Sequence, residues 1–299
     1  MSFGKRQRPM PAHRRGRLLK AVGPPLGGVA SVLSLLCTTA PCRAQEATHT
    51  PAATQPAAGG FYVRQKVQYL GFGNDPSPEQ REIDQIVSTT TLTYGLRRDM
   101  SLSLALPVVY EEKQQGGSTG REVGVEDLSL TFKYRPVQID LGPIDSVRLA
   151  VLGGVEFPSG DGDFSSHSLD PFLGVVFTAI LGRHGINQSV SYKFNTGGDE
   201  FAIRPGDGPD DALRYDTAYL FRLSPKEYAA DTEASTYLTV ELNGLYETNG
   251  DNEVLMGPGI LYEARSFALE AAIGLPVVQD VRHRPEVDVV ITLGLRILF

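Results

Sequence analysis

From Phe61 onward, apolar and polar positions alternate with period two in almost every segment, the spacing of strands that bury one face. In "FYVRQKVQY", Phe61, Val63, Val67 and Tyr69 share one side, with Arg64, Lys66 and Gln68 on the other. "SLSLALPVVY" sets Leu102, Leu104, Leu106, Val108 and Tyr110 against Ser101, Ser103 and Ala105. The last segment, "VDVVITLGLRILF", carries Val287, Val289, Ile291, Leu293, Leu295, Ile297 and Phe299 on one face. Its other face carries Asp288, Val290, Thr292, Gly294, Arg296 and Leu298. No stretch of the body sustains a helical period, and counting the alternating segments predicts twelve strands.

The connections between these segments differ at their two ends. "RRD", "GRHG" and "AR" are minimal turns, whereas "GFGNDPSPEQRE", "EEKQQGGSTGREVGV", "PSGDGDFSSHSL" and "NTGGDEFAIRPGDGPD" are long and rich in Gly, Asp, Pro and Ser. An even strand count, with short turns at one end and long loops at the other, is the pattern of a transmembrane β-barrel. Most segments reach the roughly 9–11 residues that a tilted strand needs to cross a bilayer. The apolar face would then meet lipid, the mixed face a lumen, and closure would leave no unpaired backbone amides in hydrocarbon. Tyr and Phe near the strand ends suit an interfacial girdle. The fold class expected is therefore all-β: an antiparallel transmembrane β-barrel of about twelve strands whose last strand ends in phenylalanine.

Charge sharpens the division of the chain. Residues 1–44 hold eight lysines and arginines and no acid, leaving 20 basic against 35 acidic residues beyond them. The order of basic residues, an apolar run, and then the small residues Cys42 and Ala44 reads as a secretory signal peptide over 1–44, cleaved after Ala44. Residues 45–60, rich in Ala, Thr, Pro and Gly, read as a flexible periplasmic lead-in, and 61–299 as the barrel. The acidic body argues against nucleic acid as a partner. Both cysteines, Cys37 and Cys42, lie in the leader, so the body has neither a disulfide framework nor thiolate chemistry.

Twelve strands about 4.8 Å apart and tilted about 40° give a backbone radius of roughly 12 Å. Side chains would leave a passage of roughly 14 Å at most, wide enough for one small solute. The inward faces would present Arg64, Lys66, Lys133, Arg148, Lys193, Arg214, Arg222 and Arg296. Opposing them would stand Asp127, Glu156, Asp216, Glu241, Glu263, Glu270 and Asp288, while inward Gly154, Gly257, Gly259, Gly274 and Gly294 would widen the passage. These charges either line a selective channel or pair with one another and close a polar core.

The segments "VEDLSLTFKYRP" (125–136) and "GVEFPSGDGD" (154–163), followed by strand after strand to a terminal phenylalanine, resemble the outer-membrane barrel family named for the meta pathway of phenol degradation. The closing "TLGLRILF", with Leu295, Ile297 and Phe299, is similar to the C-terminal signal read by the barrel-insertion machinery. The resemblance implies a Gram-negative outer-membrane protein that passes small, often aromatic or hydrophobic, compounds, and it supplies no catalytic residues. It also implies outer-membrane lipid and lipopolysaccharide as surroundings, with the barrel-assembly machinery and periplasmic chaperones as partners during biogenesis.

Little else in the chain suggests chemistry. His167, within "SSHSLD", has serine and aspartate beside it, but a triad is assembled in space and sequence neighbours rarely supply one. "SGDGD" and "GDGPDD" lack the glutamate spacing of a calcium loop. There is neither a phosphate-cradling glycine loop nor a metal-spaced His/Cys cluster, so no cofactor or metal is expected. Three functions follow in order: a passive channel for a small organic solute, a closed barrel whose loops serve a partner, and a rim-located lipid-modifying enzyme.

Overall fold

Alternation at period two resolves into extended backbone wherever both faces find a medium they suit, and here that holds for most of the chain. The computed structural model describes residues 45–78, 80–198, 200, 202–229 and 231–299. The signal peptide expected over 1–44 lies outside the described residues. Thirteen strands follow in order: β1 (Phe61–Gly73), β2 (Glu82–Arg97), β3 (Met100–Gln115), β4 (Ser118–Val125), β5 (Leu128–Asp140), β6 (Ser146–Phe157) and β7 (Asp170–Leu181). They continue with β8 (His184–Lys193), β9 (Ala212–Ser224), β10 (Ala234–Glu247), β11 (Asn252–Ala264), β12 (Phe267–Asp280) and β13 (Glu286–Leu298). Every adjacent pair is antiparallel. β1 bonds to both β2 and β13, which closes the sheet. At the closure, Phe61 and Phe299 exchange backbone hydrogen bonds and stack at 4.7 Å between ring centroids.

Twelve strands form the wall, and β4 is the addition. Residues 111–125, expected as a loop, instead extend β3 past the wall and fold back on it as a hairpin. Gly116 and Gly117, with φ of +57° and +82°, make the two-residue turn that a tight hairpin requires. β3 therefore pairs with β5 only from Met100 to Ala105 and with β4 from Val108 upward.

The outer surface is apolar. On β13, Ile291, Leu293, Leu295 and Ile297 are exposed, Leu293 by 61%, while Thr292 and Arg296 between them are buried at 0% and 1%. This is the all-β antiparallel barrel that the alternation predicts. The strand register also carries a bulge where Gly71 and Phe72 of β1 meet Val289 and Val287. The bulge turns Val287 inward and leaves Asp288 exposed beside Gly73, so Asp288, expected in the lumen, is outside it. Two ends can be distinguished: a short-turn end, which holds residues 60 and 299, and a loop end crowned by the 158–169 and 194–211 connections.

A plugged lumen beneath a walled cavity

The main departure from expectation lies in residues 45–56, which run inside the barrel. Gln45 to Pro56 are almost wholly buried. Gln45 touches the wall near the short-turn end, where the Asn187 amide donates to its carbonyl at 3.0 Å and its own amide donates to the Tyr237 hydroxyl at 3.2 Å. Three residues further on, the chain has reached mid-height. There the backbone N–H groups of Thr48, His49 and Thr50 donate to the single carboxylate of Glu241 at 2.9, 2.9 and 2.8 Å. The segment then descends. Lys133 donates to the Ala52 carbonyl at 2.9 Å, Ala53 N–H donates to the Thr178 hydroxyl at 2.8 Å, and Gln55 reaches the Arg98 carbonyl in the β2–β3 turn. Its partners lie on β1, β5, β7, β8, β10 and β13, which only a segment inside the barrel can touch together. Small side chains make this possible, since Ala47, Ala52 and Ala53 pack at 0–1% exposure where larger residues would not fit.

The predicted lumen charges divide by height. In the lower half most serve the plug. Arg64 forms a two-pronged ion pair with Glu270 at 2.7 Å and also donates to the Ala47 and Thr48 carbonyls. Arg296 pairs with Glu46 at 3.3 Å and lies over the Tyr62 ring. Burial opposes ionisation of Glu46, yet Arg296, Arg64 and Lys133 outweigh it and hold its carboxyl below the usual range. Arg222 and Glu263 are buried near the short-turn end, where Arg222 donates to the Pro225 carbonyl and covers Tyr228. Arg148, on β6, faces inward near the same end.

Higher up, Lys66, Asp127, Glu156, Arg214 and Asp216 line an open space, and Lys193 holds Glu156 at 3.3 Å and Asp207 at 3.0 Å. Asp216 accepts from Ser189 and Asn243. Asp127 is a loop anchor, receiving the backbone N–H groups of Ser159, Gly160 and Ser166 and the hydroxyls of Ser165 and Ser166. It thereby fixes the 158–169 loop over the mouth. Of the inward glycines, Gly274 lines the open space, whereas Gly154, Gly259 and Gly294 do not widen the passage as expected. A β-carbon at Gly294 would stand 2.4 Å from Glu270, and one at Gly154 would meet the Phe172 ring at 2.4 Å, so neighbouring side chains already fill these gaps.

The open space is a cavity of ≈ 520 Å³. Its floor is the apex of the plug, His49 and Pro51. Burial, with Lys66 and Arg64 nearby, pushes the His49 imidazole down to about 3, so it is neutral there, and its Nε2 lies 2.8 Å from the Thr292 hydroxyl. Phe164 from the 158–169 loop and Ile203 and Arg204 from the 194–211 loop reach in at the other end, and Arg204 is ion-paired with Glu126. Burial pushes the Glu126 carboxyl up, against the pull of Arg204. One wall is apolar: Leu70, Val287 and Val290 belong to a buried cluster against which Leu255, Phe164 and Ile203 pack.

Sequence reasoning missed the plug residues Glu46, His49 and Pro51, the loop residues Phe164 and Arg204, and the wall residues Gln85, Glu111 and Glu126. One signal was present: the "GG" of "QQGGST", between two alternating runs, marks the hairpin that carries Glu111 toward Glu126. The His167 backbone N–H donates to the Ser165 hydroxyl, and the neighbouring Ser168 donates to Asp170, an arrangement that ties a loop together. Among the described residues, no group of three or more His, Cys, Asp and Glu is placed to hold a metal ion.

Comparison with solved structures agrees with the fold. The crystal structure of an outer membrane channel from Pseudomonas putida F1 matches 82% of this chain and 97% of its own, with a TM-score of 0.55 and 13% identity. The translocator domain of the autotransporter NalP from Neisseria meningitidis matches 81% of this chain and 89% of its own, with a TM-score of 0.46 and 10% identity. The CymD monoaromatic hydrocarbon channel matches 81% and 89%, with a TM-score of 0.40 and 8% identity. At these identities the likeness is one of fold, and it is carried by the first of the three. No protein-family model matches the chain, and no curated protein matches it.

Proposed function

We propose that this protein is an outer-membrane channel of a Gram-negative bacterium, exported by a cleaved signal peptide over 1–44, that passes small organic solutes by diffusion. The observation that carries the reading is the cavity of ≈ 520 Å³ inside the barrel, apolar on one wall and polar on the other, which ends on a segment that forms no strand with the wall. Pockets of about 300–1,000 Å³ suit small organic ligands. Strand cores do not rearrange easily, whereas a segment with no strand pairing inside the barrel is the part that gives way to a solute. The sequence resemblance to the meta-pathway barrel family points to the same class of solute, aromatic or hydrophobic. Lipid and lipopolysaccharide surround the barrel, and the terminal Leu295, Ile297 and Phe299 serve its insertion.

A second reading is a closed barrel whose loops meet a partner, and the filled lower lumen favours it. Planar-bilayer recording and liposome flux separate the two, using the mature chain and a variant lacking residues 45–58. A channel whose plug can be displaced gives small, intermittent conductance in the first and steady, larger conductance in the second. Silence in both contradicts the proposal and leaves the closed barrel.

A further inference from the structure

The two walls of the cavity differ in what they offer a bound molecule. Among the described residues that line it, eight carboxylates stand against three lysine or arginine side chains, and His49 is neutral. The carboxylates are not all matched locally. Glu156 and Asp207 share Lys193, Asp163 is in no ion pair, and Glu253 shares Arg284 with Glu247.

More specific is a set of acceptors on the wall formed by β2, β3 and the β4–β5 link. Gln85 and Glu111 face each other across β2 and β3, and the Gln85 amide donates to one Glu111 oxygen at 2.8 Å while the other lies 3.7 Å from the Lys113 ammonium. That orientation leaves the Gln85 carbonyl oxygen buried, at 1% residue exposure, with no hydrogen-bond partner. Below it, Glu126 rests on the Pro107 carbonyl through its backbone N–H. One of its carboxylate oxygens takes Arg204, and the other is buried without a partner. Buried acceptors of this kind are costly until a donor reaches them. The apolar cluster begins beside them, since Leu70 pairs directly with Gln85 in the sheet and Val290 lies across from Leu70 on β1's other side.

Resting on the channel reading above, we infer that the cavity prefers small organic cations: a primary ammonium on an aromatic or branched aliphatic body. The ammonium sits against Gln85, Glu111 and Glu126, and the body lies on Leu70, Leu255, Val290 and Phe164. An ammonium has three donors and no acceptor, the complement of two carboxylates and an amide oxygen. A carboxylate on the same body would bring like charge to Glu111 and Glu126 and offer no donor to the unpartnered oxygens of Gln85 and Glu126. Lys66, on the floor and in no ion pair among the described residues, repels the cationic head and keeps it at the upper end of the cavity.

The test is calorimetric titration of the mature barrel in a nonionic detergent with benzylammonium, benzyl alcohol and benzoate, three probes that share one ring. Benzylammonium is expected to bind roughly tenfold more tightly than benzyl alcohol, the effect of one charge-assisted hydrogen bond, and benzoate weakest. Gln85→Leu and Glu126→Gln, each checked for folding by heat-modifiable gel mobility, are expected to bring benzylammonium to within about threefold of the alcohol while leaving the alcohol unchanged. Benzoate binding as tightly as benzylammonium, three equal affinities, or variants that keep the full preference would each overturn the inference. Flux in liposomes is read separately. Binding in the expected order without flux contradicts the channel and keeps the inference, whereas flux with no order in binding does the reverse.

Discussion

Glu241 accepts the backbone N–H of Thr50 at 2.8 Å, halfway up the barrel and 191 positions away in sequence. The same carboxylate takes the N–H groups of Thr48 and His49, so one side chain of β10 gathers three successive backbone N–H groups at the apex of the plug. Three donors converging on one carboxylate form a concave anion-binding turn of backbone. Without that carboxylate the three N–H groups would be buried and unpartnered. Replacing Glu241 with alanine should therefore weaken plug docking by about 3 kcal/mol, raise channel conductance, and expose residues 45–60 to protease added from the short-turn side. Unchanged protection of that segment would show that the apex is held by something else.

Gly294 and Glu270 make a second dependency. The Glu270 side chain lies over Gly294 and from there reaches Arg64. Gly294→Ala adds one carbon where Glu270 now sits, which displaces the carboxylate and leaves Arg64 buried without its partner. Losing one member of a buried pair costs about 3–5 kcal/mol, so the unfolding midpoint in a heat-modifiable gel assay should fall clearly. Gly274→Ala, where the nearest atoms would be 3.7 Å away, should leave it nearly unchanged.

Acid should loosen the plug, and the sign follows from His49. Docked, its imidazole titrates at about 3 against 6.5 for the free side chain. Docking is therefore at full strength above pH 6.5 and weakens as the pH falls from there toward 3. The undocked state gains about 1.4 kcal/mol per pH unit in that interval, or about 2 kcal/mol at pH 5. Glu46, held ionised by Arg296, Arg64 and Lys133, adds a loss of the same sign below its ordinary value of 4.5. Open-channel time recorded between pH 7.5 and 5 should rise, and His49→Gln should flatten most of the rise. A profile unaltered by His49→Gln would assign the effect to other groups.

Adjacent residues of β13 should report two media. Leu293 is 61% exposed on the outer face, whereas Thr292 beside it is fully buried against His49. Spin labels on reconstituted protein should show Leu293 accessible to dissolved oxygen, as in hydrocarbon, while a label at Thr292 is inaccessible. Equal accessibility at both sites would contradict the assigned register.

Leu293 and Thr292 also explain why the fold was legible. A barrel wall imposes a two-residue period on every strand, and Leu102, Leu104 and Leu106 on β3 obey it as strictly as Leu293 and Leu295 on β13. Asp288 fails the rule because a bulge adds a residue locally and turns it to the outer face, which alternation alone does not reveal. The plug was illegible for a different reason. "QEATHTPAATQPAAGG" has no period because it pairs with no strand inside the barrel, and small residues that suit a flexible linker also suit a crowded lumen. Arg64, Lys133, Glu241 and Arg296 stand at polar positions of the alternation, but nothing in their spacing said that they would close on the chain's own first segment. The acceptor Glu111 escaped notice because it sits on an extension of β3 that read as a loop.

The most direct measurement uses the absence of cysteine beyond residue 44. Thr50 on the plug and Asn243 on β10 face each other, with the hydroxyl and amide 3.4 Å apart. In the mature chain carrying Thr50→Cys and Asn243→Cys, a disulfide should form without added partner protein, hold bilayer conductance at its floor, and release it when reductant is added. Failure of the pair to cross-link, or conductance identical before and after reduction, would contradict a plug seated in the lumen.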